Sequence, residues 1–145
     1  MGIFNGLEIN ASGLALERLK LDTISTNIAN VNTTRTPEGG PYKRKTVQFS
    51  ESLKNTQAGS GKLSLGGQTS YGVKVTGIQT DNTEKTSYDP TNPDADQNGY
   101  VRTSNVNMAD EMVDMIQAMR TYEANSSAAE MNKTILKNAL EISKN

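Results

Sequence analysis

The chain has no cysteine and no histidine. It therefore cannot form a disulfide, a thiol nucleophile, a Ser-His-Asp triad or the usual zinc site. It also lacks an excess of either charge: fifteen Lys and Arg oppose sixteen Asp and Glu, for a net charge of −1. That removes the electrostatic footprint of a nucleic-acid binder, so nucleic acid is not an expected partner. Large apolar residues are scarce too, since Leu, Ile, Val and Phe together supply 27 of 145 residues. This is below the roughly 20% at which disorder is suspected, but the balanced charge does not hold the chain open. The expected protein folds, is short of core, and completes that core with a partner. Its opening, Met1-Gly2-Ile3-Phe4-Asn5-Gly6, has no basic stretch, no unbroken apolar run and no Ser or Thr at position six. No cleaved secretory signal, membrane insertion or myristoylation is expected.

What is present is unevenly distributed. Apolar residues make 15 of the 31 positions from Met1 to Val31, 15 of the 73 from Asn32 to Ser104, and 19 of the 41 from Asn105 to Asn145. All four Pro and nine of the twelve Gly fall in the middle segment. The layout reads as helix, irregular insert, helix, with segments 1–34, 35–104 and 105–145.

The N-terminal segment carries Leu7, Leu14, Leu21 and Ile28 at intervals of seven, flanked by Phe4, Ala11, Ile24 and Val31. This is one apolar stripe on a helix. In the C-terminal segment Met108, Met112, Met115, Met119, Tyr122, Ser126, Ala129, Lys133, Leu136 and Leu140 follow a 4-3-4-3 spacing. That spacing is the heptad of a coiled coil. Asn107 suits the N-cap, and Asp110 places negative charge in the first turn. The fold expected is mainly α, with long N- and C-terminal helices forming a coiled-coil hairpin around a small β-rich or irregular insert. The polar intruders Arg18, Ser126 and Lys133 either fix register or snorkel to solvent.

In the insert, Tyr42 to Phe49 and Gly72 to Thr80 alternate as short strands with one wet face. Between them Thr56 to Ser70, rich in Gly and Ser, reads as a mobile loop. Asp94-Ala95-Asp96-Gln97-Asn98-Gly99 copies the start of a calcium loop, but position twelve would be Asn105 and no helix precedes it. A polar turn is the simpler reading, and no metal or cofactor is expected. The triplet Lys43-Arg44-Lys45 reads as a solvated strand edge. Ser and Lys residues stand at no activating spacing, so no catalytic residue is assigned and an enzyme is not expected.

Two terminal stretches carry a resemblance. Ser12-Gly13-Leu14, Arg18 and Leu21 through Asn27, Asn30 and Thr33 resemble the N-terminal signature of the bacterial flagellar axial family of rod and hook proteins. Ser104-Asn105-Val106-Asn107, Glu111 to Ile116 and Arg120 to Asn125 are similar to that family's C-terminal signature. Inside the insert, Thr36 to Arg44 with Pro41 and Tyr42, then Asp89 to Pro93 and Gly99-Tyr100-Val101, resemble the short proximal-rod members. The resemblance implies a structural subunit of the flagellar basal-body rod that polymerises through its terminal helices and transmits torque from motor to hook. It implies location in the rod crossing the periplasm and passage through the flagellar type III export apparatus without a cleaved signal. The partners implied are the chain itself, other rod subunits and basal-body proteins at the export-gate and MS-ring junction. A reading from a different class is a soluble helical-hairpin adaptor or chaperone that holds one partner helix on the Met row.

Overall fold

The computed structural model describes residues 3–55 and 68–142. In chain order the elements are α1 (Ile3–Ala29), β1 (Lys45–Asn55), β2 (Gln68–Thr80), β3 (Lys85–Tyr88), β4 (Tyr100–Thr103) and α2 (Met108–Ile142). β1 pairs with β2 and β3 with β4 as two separate two-stranded sheets. Most of the loop expected over 56–70 lies outside the described residues.

The expectation of a mainly α coiled-coil hairpin is corrected by this architecture. β1 and β2 run for 11 and 13 residues, beside helices of 27 and 35. The fold is two long helices with two sheets between them in sequence, an α+β arrangement. The buried helix positions also differ from a coiled-coil seam. On α2 they are Glu111 and Ala118, and on α1 they are Leu16, Glu17, Thr23, Ile24 and Asn27. Small and polar side chains thus share the buried helix positions with Leu16 and Ile24.

The described residues form two compact units, each drawing on both helices: 3–18, 49–55, 68–76 and 120–142 in the first, Leu19–Gln48 and Gly77–Met119 in the second. In the first unit two glycines on α1 lie opposite two asparagines on α2, both pairs seven residues apart. A Cβ at Gly13 would sit 2.8 Å from Asn125 Nδ2, and one at Gly6 would sit 3.2 Å from Asn132 Nδ2. A side chain at either glycine would displace the facing asparagine amide. Ser12 Oγ donates to the Ile9 carbonyl at 2.7 Å and accepts from the Val73 amide at 3.1 Å, tying β2 to α1.

In the second unit α1 ends where Asn30 N–H is shared between the Thr26 and Asn27 carbonyls, both at 3.2 Å. The chain then turns through Thr33, whose amide donates to Asn30 O, and returns so that the Tyr42 amide donates to Thr33 O. β3 and β4 are antiparallel, with Tyr88 opposite Tyr100 and their rings edge to face at 5.3 Å. Gly99 precedes β4 at φ +82°, a conformation that disfavours any side chain. The Asp94–Gly99 stretch is a turn. Asp96 Oδ1 accepts from the Asn98 and Tyr100 amides at 2.9 and 2.8 Å, while the Asp94 carboxylate engages Thr34 and the Arg35 guanidinium. α2 starts as its sequence suggests: Asn107 Oδ1 accepts from the Ala109 amide at 3.1 Å, and its Nδ2 donates to Asp110. This is the N-cap hydrogen bond that satisfies a free amide of the first turn.

Candidate assembly interface

Two features of the second unit stand out, one buried and one open. The buried one is a hydrogen-bonded cluster built from α1, from the segment entering β1, and from α2. Its centre is Asn27, 1% exposed, facing Glu111, 0% exposed. Asn27 Nδ2 donates to Glu111 Oε2 at 3.0 Å and to the Lys45 carbonyl at 2.8 Å. Its Oδ1 accepts from the Tyr42 hydroxyl and from the Lys45 amide, both at 3.0 Å. An asparagine has two N–H donors and two acceptor lone pairs, so every hydrogen-bonding capacity of Asn27 is used.

Glu111 needs compensation for its burial, because an unpaired buried carboxylate costs far more than a paired one. Arg44 supplies it: Nε donates to Glu111 Oε1 and Nη2 to Asp114 Oδ2 one turn further along α2, the latter at 3.1 Å. Arg44 is held in turn through its backbone. Its amide donates to Asn105 Oδ1 at 2.7 Å and its carbonyl accepts from the Asp81 amide at 2.8 Å. The hydrogen bond to Glu111 raises the Arg44 pKa above the ordinary guanidinium value, partly opposed by burial. Burial, and after it the Glu111 charge, raise the Tyr42 phenol above the usual 10.0.

The Tyr42 shift has a measurable sign. A phenol whose folded value lies above its unfolded value binds its proton more tightly when folded, so its contribution is fully present below pH 10. It is lost as pH rises through the raised folded value. Urea denaturation between pH 8 and 11 is expected to show falling stability at the alkaline end, and Tyr42→Phe is expected to reduce that slope.

The open feature is a ridge on α2. Met108, Met112, Val113, Ile116 and Met119 are between 45% and 63% exposed. Burying what remains of five such side chains is worth on the order of 5 kcal/mol. Contiguous exposed apolar surface is, in general, the mark of an interaction site. In the first unit Tyr122, Met131, Ile135, Leu140 and Ile142 are likewise exposed.

The residues read from the sequence as a seam are distributed accordingly. Leu7, Leu14, Leu21 and Ile28 are half-buried, as are Met115 and Leu136. Met108, Met112, Met119, Tyr122 and Leu140 are open in this chain. Of the motif residues, Asn27, Tyr42, Asn105 and Glu111 meet in the buried cluster. Asn30 and Thr33 form the turn after α1, with Thr33 Oγ1 donating to Asn30 Oδ1 at 3.2 Å. Pro41 is half-buried beside Tyr42. Gly99 and Tyr100 open β4, Arg120 pairs with Glu123 at the surface at 3.3 Å, and Asn125 faces Gly13 in the first unit. The triplet divides: Lys43 Nζ donates to Asn82 at 3.0 Å and Lys45 Nζ stands 5.9 Å from the Tyr42 ring, while Arg44 points into the cluster.

Two things escaped sequence reasoning. One is the Arg44–Glu111–Asp114 grouping, and the other is the place of Val113 and Ile116 on the ridge. A signal for the first existed in the seven-residue row Glu111, Ala118, Asn125, Asn132, which is small or polar throughout. Among the described residues no helix is long and apolar enough to cross a membrane.

Comparison with known proteins assigns this arrangement to a class. Residues 7–35 match the family model described as flagella basal body rod protein, and residues 97–142 match that of the flagellar basal body rod FlgEFG protein C-terminal. Both terminal segments are thus those of flagellar rod proteins. The full chain is 42% identical to the flagellar basal-body rod protein FlgC of Borreliella burgdorferi, over 98% of each chain. It is 40% identical to that of Bacillus subtilis, over 99% of this chain and 100% of the relative, and 34% identical to that of Salmonella typhimurium, over 98% of each. The chain belongs to the FlgC family of flagellar basal-body rod proteins. Its function is that of a structural subunit of the basal-body rod.

Proposed function

We propose that the apolar ridge of α2 is the surface through which this chain packs against copies of itself and other rod subunits in the proximal rod. The observation that carries this reading is the ridge itself: large apolar residues along one helix, beside a buried cluster that holds the same helix in place. Contacts between different faces of successive subunits do not close on themselves and generate a helical array. Close-packed helices in such an array are stiff, which suits a shaft that passes torque from motor to hook. The half-buried Leu7, Leu14, Leu21 and Ile28 and the first unit's Tyr122, Leu136 and Leu140 extend the same packing.

On this reading the chain reaches the periplasm through the flagellar type III export apparatus without a cleaved signal and carries no catalytic activity. Its neighbours at the base of the rod are the proteins of the export-gate and MS-ring junction.

The absence of cysteine makes the test clean. Ile116→Cys in the purified, dilute protein is expected to react readily with a maleimide. In basal bodies isolated from swimming cells that carry the same variant, the thiol is expected to be shielded. Equal reactivity in both would overturn the reading.

A further inference from the structure

The buried cluster and the open ridge lie on different faces of one helix, and the sequence favours a different arrangement from the one observed. At 3.6 residues per turn, the row Met108, Met112, Met115, Met119 lies roughly a quarter turn round α2 from Glu111 and Ala118. Turned inward, that row would bury more apolar surface against α1 than Glu111 and Ala118 do. Yet Glu111 and Ala118 are buried, while Met108, Met112 and Met119 are open and Met115 is half-buried.

We propose that Asn27, Tyr42, Arg44 and Glu111 act as positioning residues that set the rotation of α2 within the second unit and hold the apolar ridge outward. Both Glu111 carboxylate oxygens are engaged, Oε2 by Asn27 on α1 and Oε1 by Arg44. Arg44 reaches a second point on α2, Asp114, one turn on. Two attachments on the same side of a helix fix its rotation, which one could not. Neither partner is free to follow a turning helix. Asn27 has no spare hydrogen-bonding capacity, and the Arg44 backbone is fastened at both its amide and its carbonyl. Rotation would strand a buried carboxylate, a buried amide and a guanidinium at once, the kind of cost by which buried polar groups specify one packing over another. The cluster thus prevents the chain from satisfying its apolar helix face internally. The consequence for rod assembly rests on the ridge being the assembly surface; the rotational setting does not.

The test uses two single-thiol reporters in the full chain, Met112→Cys on the ridge and Ala118→Cys on the buried face, each with and without the pair Asn27→Leu and Glu111→Leu. With the cluster intact, the thiol of Met112→Cys is expected to react with a maleimide at least roughly tenfold faster than that of Ala118→Cys, since reactivity follows access. With the cluster replaced by apolar side chains and helix content retained by circular dichroism, the ratio is expected to fall to near one or to invert. An unchanged ratio in the folded variant would overturn the proposal. If the double replacement does not fold, Arg44→Met is read in the same way, and an unchanged ratio there is equally contrary. A variant with an inverted ratio that still assembles normally would uphold the rotational role and overturn the reading of the ridge as the assembly surface.

Discussion

Glu111→Ala is expected to lower the unfolding free energy by about 3 kcal/mol, the scale measured when one member of a buried ion pair is removed. Two partners lose their acceptor together. Asn27 Nδ2 keeps only the Lys45 carbonyl, and Arg44 keeps only the half-exposed Asp114. The Arg44 side chain is itself partly open to water at 31% exposure, which holds the loss to the lower part of the range. Glu111→Gln keeps one acceptor oxygen where the carboxylate has two, so its NH2 must face either Arg44 or Asn27, both donors. It is expected to cost about 2 kcal/mol, the penalty of one buried donor left without its acceptor. Asp110→Ala, a neighbour exposed on the same helix, removes the contact to the cap residue and a first-turn charge that also favours Arg44, and is expected to cost less than either. Urea denaturation at neutral pH, with the slope compared across the three variants, makes the measurement.

The double variant Met112→Asp with Ile116→Asp is expected to behave oppositely. Both residues are more than half exposed, so the charges sit in water in the isolated chain and its melting is expected to be nearly unchanged. In the rod the same carboxylates would be carried into an apolar contact, at a cost of several kcal/mol each. That cost recurs at every copy of the contact along a polymer, so swimming is expected to be lost outright. Motility assays together with the melting curve of the purified variant separate this outcome from a folding defect. Normal swimming would remove the ridge from the assembly surface.

How far such features can be read without coordinates depends on their physical origin. The helices were legible because their apolar period and the absence of proline are local properties, and the start of α2 because an N-cap acts through its own side chain. The strands at β1 and β2 showed through alternation, although both run beyond the stretches that alternate. β3 and β4 did not show, since Lys85 to Tyr88 and Tyr100 to Thr103 are short, polar and joined by a turn whose order comes from Asp89, Asn92 and Asp96 side chains. The rotation of α2 was the least legible property. Periodicity alone puts Met108, Met112 and Met119 inward, because apolar spacing records which residues share a face but not which face meets the partner helix. That choice belongs to Glu111, whose burial depends on Asn27, 84 positions away, and on Arg44, 67 away. The terminal motifs are legible in the sequence as a family signature. Asn27, Tyr42, Asn105 and Glu111 are scattered through the chain and meet only in the folded cluster.

On the proposed reading, a helix kept open in one subunit is closed by the next. Electron cryomicroscopy of intact basal bodies tests it most directly, through side-chain density around residues 108–119 of this subunit in the rod. Met108, Met112, Val113, Ile116 and Met119 are expected to lie against a neighbouring subunit, with Glu111 still facing Asn27 and Arg44. Density that leaves the ridge facing solvent, or that turns it inward onto α1 of its own chain, would contradict it.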